Sequence, residues 1–128
     1  LSRGTKGRLE AEISEAFIQF QRQMVGKGPE ATKTFISQDM VIVRQKKSMT
    51  CEEQHLVTTE KGRRLVKEMR VTLREIFREQ IEKMITHLTG CQVLSSHGDI
   101  STRTGERIDI FILDKNLEDE LVRNSGEG

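Results

Sequence analysis

The sequence predicts a single α+β domain ordered α-β-β-α-α-β-β: a four-stranded antiparallel sheet packed by a long helix and the N-terminal helix. Three observations carry this. Apolar residues recur at helical spacing in two segments, residues 5–25 and 58–89. Between and after them lie short runs rich in β-branched and aromatic residues, bounded by turn residues. At 128 residues the chain has room for one core. The domain is expected to span residues 1–123, with 124–128 as a flexible tail.

In the first helix Leu9, Ile13, Ala16, Phe17, Phe20 and Met24 fall three and four apart and share a face. Gly26 stands where a left-handed residue closes a helix, and Pro29 blocks continuation. Residues 31–37 and 40–44 read as a hairpin around Gln38-Asp39. Thr50-Cys51-Glu52-Glu53 is a capping box: the Thr hydroxyl accepts from the third helical amide, and Glu53 reaches back. It starts a short helix through residue 57. Thr58 or Thr59 caps the long helix. Gly62 sits early in it, where a glycine costs least, and Gly90 ends it. Residues 92–100 and 107–113 form a second hairpin, with Gly105 free to take positive φ in its loop. Residues 117–122 add a helical turn.

The long helix has three stripes. Leu65, Val66, Met69, Leu73, Ile76 and Phe77 form an apolar face. Arg63, Lys67, Arg70, Arg74 and Arg78 form a basic stripe beside it, and Glu68, Glu75, Glu79 and Glu82 an acidic one. Further on, the apolar set Ile81, Met84, Ile85 and Leu88 has rotated toward the basic azimuth. Either the helix bends near residues 78–80, or its halves bury against different things. The strand at 107–113 also has two apolar sides: Ile108, Ile110 and Ile112 on one, Phe111 and Leu113 on the other. Such a strand asks for cover on both faces, so a homodimer is expected.

Composition narrows the function. Hydrophobic residues make up 34% and charged residues 32%, which suits a folded domain and not a disordered chain. A net charge of +1 supplies no general attraction to nucleic acid or anionic lipid. Trp and Tyr are absent, which removes the usual base-stacking platforms. Nucleic acid is therefore not the expected partner, and the basic stripe is the only feature that argues for it. No segment approaches the roughly 20 apolar residues of a membrane span. The first residues lead into no apolar signal core, so a cytoplasmic location is expected. Cys51 and Cys91 are expected as reduced thiols. His55, His87 and His97 are scattered, so neither metal nor cofactor is expected.

Three groups stand as candidate sites. Gly26-Lys27-Gly28-Pro29 has the composition of an anion loop. It follows a helix C-terminus, where the dipole disfavours anions, and so reads as a structural corner. His97, Asp99 and Ser101 alternate onto one strand face, with Arg103 and Arg107 nearby. They form a candidate site for a small molecule or anion. Same-face strand neighbours lie too far apart for a catalytic triad, so no catalytic residue is assigned and a non-enzymatic role is expected. Arg63, Lys67, Arg70, Arg74 and Arg78 form a candidate interaction surface, for phosphates or for an acidic protein face.

Several stretches occur in an order that resembles a known family. They are Leu9-Glu10-Ala11-Glu12-Ile13, the Gly-Lys-Gly-Pro corner, Asp39-Met40-Val41-Ile42-Val43, Leu65-Val66-Lys67, Leu88-Thr89-Gly90, and the hairpin from Asp99 through Thr104-Gly105-Glu106-Arg107. Together they resemble the bacterial MpsC-like (YbcI-like) family of small domains of unknown function. The resemblance implies an accessory or regulatory role in a sodium-linked membrane-potential or inorganic-carbon transport system, through protein–protein contacts with a membrane-transport partner. It implies no catalytic residue. The alternatives are a small-molecule or anion-binding module using the His97/Asp99 strand and the Arg103/Arg107 hairpin, and a nucleic-acid-binding protein using the basic helix stripe.

Overall fold

Two β-hairpins meet at the centre of one sheet. The computed structural model describes residues 5–26 and 28–127; residues 1–4, Lys27 and Gly128 lie outside the described residues. The elements are α1 (Lys6–Val25), β1 (Ala31–Ser37), β2 (Met40–Lys46), α2 (Cys51–Leu56), α3 (Glu60–Thr89), β3 (Val93–Ile100), β4 (Arg107–Leu113) and α4 (Leu117–Glu127). This is the expected α+β order, followed by a fourth helix. α4 is longer than the single turn anticipated, and its backbone takes in residues 124–127 of the segment expected as a tail.

The strands run antiparallel in the order β1-β2-β4-β3. Each hairpin is local, and the β2–β4 pairing joins them, with Val41 opposite Phe111 and Ile42 opposite Ile110. Gln38 takes a positive φ of 56° in the β1–β2 turn. A bulge falls between Val93 and Ser95 in β3.

Local chemistry sets the helix ends. The Thr5 hydroxyl accepts from the Arg8 amide to start α1, and Thr59 does the same with Gly62 for α3. The Thr50–Glu53 capping box forms in full. Gly26 and Gly90 close α1 and α3 in the left-handed region, at φ 85° and 75°. Gly26 donates its amide to the Arg22 carbonyl at 3.1 Å. Three of the four corner residues thus lie at a chain reversal, while Lys27 lies outside the described residues.

One face of the sheet carries the core. Ile36, Val41, Val43, Phe111 and Leu113 point to it and are buried against Leu9, Ile13 and Phe17 of α1, Ile81 and Ile85 of α3, and Leu117 and Leu121 of α4. Lys6 bridges to Glu118 at 2.8 Å and ties the start of α1 to α4. The opposite face presents Phe35, Met40, Ile42, Ile108, Ile110 and Ile112, and the helices leave it open. Phe35 is 39% exposed and Ile108 37%. The two-sidedness read from 107–113 is therefore real, and within one chain only one side is covered.

α3 is uninterrupted from Glu60 to Thr89. Its buried line runs Val66, Arg70, Ile81, Ile85, Thr89, with Arg74 and Phe77 half-buried between. These positions lie three or four apart, so one azimuth faces inward throughout. The apparent rotation of the apolar stripe has a simple cause. In the N-terminal half two successive inward positions, after Val66, hold arginines, and the apolar residues Leu65 and Ile76 face out, at 47% and 64% exposure. Gly62 is more than a tolerated residue. A Cβ there would fall 1.7 Å from the Leu56 carbonyl oxygen, so the α2–α3 junction requires glycine.

Candidate functional site

The inner face of the sheet is not uniformly apolar. Along β2 the inward series is Val41, Val43, Gln45, and along β4 it is Leu113, Phe111, Asp109. One end of the sheet therefore offers apolar groups to the helices and the other offers polar ones. Gln45 and Asp109 are fully buried. Buried polar groups must be bonded, and these are. Gln21 Nε2 donates to Gln45 Oε1 at 3.2 Å. No buried side-chain nitrogen or oxygen among the described residues lacks a partner.

Asp109 is served by two arginines. Arg74 Nε donates to its Oδ1 at 3.0 Å, and Arg107 Nε to its Oδ2 at 2.8 Å. Arg74 reaches it across β3 because Gly98, opposite Asp109, has no side chain. One helical turn back, Arg70 grips Glu53 with two prongs, Nε to Oε2 at 2.8 Å and Nη2 to Oε1 at 2.6 Å. Burial pushes the Glu53 carboxyl up, but the Arg70 guanidinium and the Thr50 amide hold it below the usual glutamate range.

Above this charged floor, α1 and α3 diverge and leave a cleft of about 370 Å³. Phe17, Phe20, Met24, Leu56, Met69, Leu73, Phe77 and Ile81 supply its apolar walls, and Arg70, Arg74, Arg107, Gln21, Thr50, Glu52 and Glu53 its polar positions. Phe20 meets Phe77 edge to face at 5.5 Å. Concave, mostly apolar sites with a few placed polar groups are the usual form of small-molecule sites.

The residues singled out from the sequence are distributed as follows. The five-cation stripe does not form one open face. Arg70 and Arg74 are interior, and Lys67 Nζ donates to Asp99 Oδ1 and to the Ile100 carbonyl, each at 2.7 Å. Arg78 lies between Glu75 and Glu82, and Arg63 donates to the Val57 carbonyl. The stripe is largely a seam that fastens α3 to α2 and the sheet. Its acidic mates come from elsewhere in the chain, not from the adjacent glutamate stripe alone.

The His97 group is not brought together. His97 stands exposed opposite Ile110 on the outer sheet face. Asp99 is held by Lys67, whose bond keeps its carboxyl below the usual range. The Ser101 hydroxyl accepts from the amides of Arg103 and Thr104 and shapes the hairpin loop, where Arg103 is exposed. Only Arg107 turns inward, to the cleft. Among the described residues no three His, Cys, Asp or Glu side chains converge as a metal site requires. Cys91 is buried, which pushes its thiol up, and Cys51 is exposed.

Sequence reading missed the cleft. A signal was present in Asp109, a charged residue in phase with Phe111 and Leu113 on an otherwise apolar strand.

Fold and site together define a small α+β domain whose helices leave an arginine-floored apolar cleft on one side of the sheet and whose other side is bare. The chain belongs to the MpsC family, described as a Na+-translocating membrane potential-generating system, whose family model matches residues 5–115. It is 37% identical over 119 residues to the uncharacterized protein YbcI of Bacillus subtilis (strain 168), covering 93% of this chain and 96% of that one. It is 21% identical over 110 residues to the uncharacterized protein YrhF of the same organism, covering 85% and 90%. No solved structure matches the chain. No helix among the described residues is long and apolar enough to cross a membrane.

Proposed function

We propose that this protein is a non-enzymatic accessory or regulatory component of a bacterial sodium-linked membrane-potential or inorganic-carbon transport system. It acts on the cytoplasmic side, by contact with a membrane-transport partner. The family description supports the sodium-linked membrane-potential part of this reading. The observation that carries the mode of action is the orientation of α3, which turns Arg70 and Arg74 inward and holds Leu65 and Ile76 out to solvent. An exposed apolar row on a helix is a groove-fitting surface for another protein. The commitment of Asp99 to Lys67 and of Ser101 to loop amides also favours contact over catalysis at the β3 strand.

The test is affinity capture with the tagged chain from membranes of a bacterium that encodes it. Capture of transport proteins by the native chain, lost in the Leu65→Glu, Ile76→Glu variant, is the expected result. Recovery of no transport component would overturn the reading.

A second surface supports a homodimer. On the outer sheet face Lys33, Arg44, Ile108 and Asp99 lie in one cross-strand row. Arg44 and Asp99 already hold Glu106 and Lys67, so the row presents matched charges beside apolar surface. The apolar row Phe35, Ile42, Ile110 lies beside it.

A further inference from the structure

We propose that the cleft between α1 and α3 binds a small monocarboxylate with an apolar body, its carboxylate held by Arg74 and Arg107. The argument begins with charge. Arg70 and Glu53 cancel, being paired at 2.6 Å and nearly buried. Arg74 and Arg107 share the single carboxylate of Asp109. The buried groups of the floor therefore carry one positive charge more than they neutralise; the remaining carboxylate of the lining, Glu52, is exposed to solvent, where its charge is screened. A singly charged anion balances that excess, whereas a phosphate monoester, at about −1.5 to −2, overshoots it.

The hydrogen bonding points the same way. Arg74 is engaged through Nε alone, so its two Nη groups are available to an acceptor. They are also accessible, because no buried side-chain nitrogen among the described residues lacks a partner. Arg107 gives its Nε and Nη2 to Asp109 and keeps Nη1. A guanidinium matches a carboxylate in plane and spacing, and such charge-assisted bonds strengthen where water is scarce.

Size and lining fix the rest of the ligand. The cleft volume, about 370 Å³, is about two and a half times that of a ~150 Å³ apolar cavity that admits benzene. Phe17, Phe20, Phe77 and Ile81 offer hydrocarbon and ring faces with few polar atoms. A medium-length aliphatic chain or a single ring fits that space, and a two-tailed lipid does not. Leu65 and Ile76, which α3 holds out to solvent, are not part of the lining, while Met69 between them borders the cleft.

The experiment uses the chain labelled at its methionine methyl groups, titrated with octanoate and followed by nuclear magnetic resonance. Met24 and Met69 line the cleft, while Met40 lies on the outer sheet face. Saturable shifts at Met24 and Met69, with Met40 still, are expected. Octanamide should bind roughly ten-fold more weakly, the loss expected for a hydrogen bond to a charged group. Acetate, the head without the body, should produce no saturable shift. The Arg107→Gln variant, checked for folding by circular dichroism, should bind octanoate and octanamide alike. Equal affinity of native protein for octanoate and octanamide would overturn the proposal without recourse to a variant. So would shifts at Met40 that match those at Met24, or none at Met24 and Met69 at millimolar octanoate.

Discussion

Arg70 and Glu53 are joined twice over: the glutamate that completes the capping box of α2 is the same one that takes both prongs of the arginine on α3. A helix start and a buried ion pair thus rest on one side chain. Removing one partner of a buried pair strands the other charge, at about 3–5 kcal/mol. Glu53→Gln is expected to destabilise the fold by roughly 3 kcal/mol at neutral pH on that basis. The pH dependence follows from the lowered Glu53 carboxyl. Its contribution is fully present above the usual glutamate range of about 4.3 and is lost as pH falls through the folded-state value. Urea unfolding at pH 7 and near pH 3 should show the gap between native and variant protein closing in acid.

Gly98 is expected to resist even alanine. A Cβ there would stand 2.3 Å from both Arg74 Nε and Asp109 Oδ1. The guanidinium must then leave or β3 must move, and overpacking of this kind costs about 1–3 kcal/mol. Gly98→Ala should lower the denaturation midpoint accordingly. An unchanged midpoint would show that Arg74 does not need its path across the strand.

Gly62 reverses a common rule. Glycine to alanine within a helix ordinarily gains about 1 kcal/mol. Here the new methyl would meet the backbone oxygen of Leu56 at 1.7 Å, and backbone cannot swing aside as a side chain can. Gly62→Ala is expected to destabilise by roughly 2 kcal/mol, in the range of overpacked sites. Thermal unfolding of the variant checks the sign.

The open sheet face makes a prediction about assembly. Ile110 sits in its middle, paired with Ile42 on one side and His97 on the other. Ile110→Lys places a charge there without touching the core. Sedimentation velocity should show a dimer for the native chain and a monomer for the variant, with little change in melting temperature. A native chain that sediments as a monomer throughout would dismiss the sheet face as a self-contact.

The strands, the hairpins and the caps were all legible in the sequence, because each is written in neighbouring residues. Thr50 and Glu53 lie three apart, and Gly26 and Gly90 stand directly after their helices. The inward face of α3 was not legible. Hydropathy places Leu65 and Ile76 inside and Arg70 and Arg74 outside, and the fold does the opposite. The acids that make burial of these arginines affordable are Glu53 and Asp109, on other elements. A local pattern cannot contain a partner that tertiary contact supplies. For the same reason the cleft was hidden, since its walls come from both sides of that misread helix. Arg107 was picked out for its hairpin, and strand alternation then carried it away from His97 to the other face of the sheet.

Because Met40 faces Ile112, the sheet is complete only when the two halves of the chain meet. Either hairpin closes a short loop and can form in about 1–10 μs. The seam between them encloses all of α2 and α3, and such distant pairing demands loop entropy before it returns any contact energy. Pairing of the two hairpins is therefore the step expected to be slow in folding. The β2–β4 seam is then the expected place for strand exchange between copies to begin.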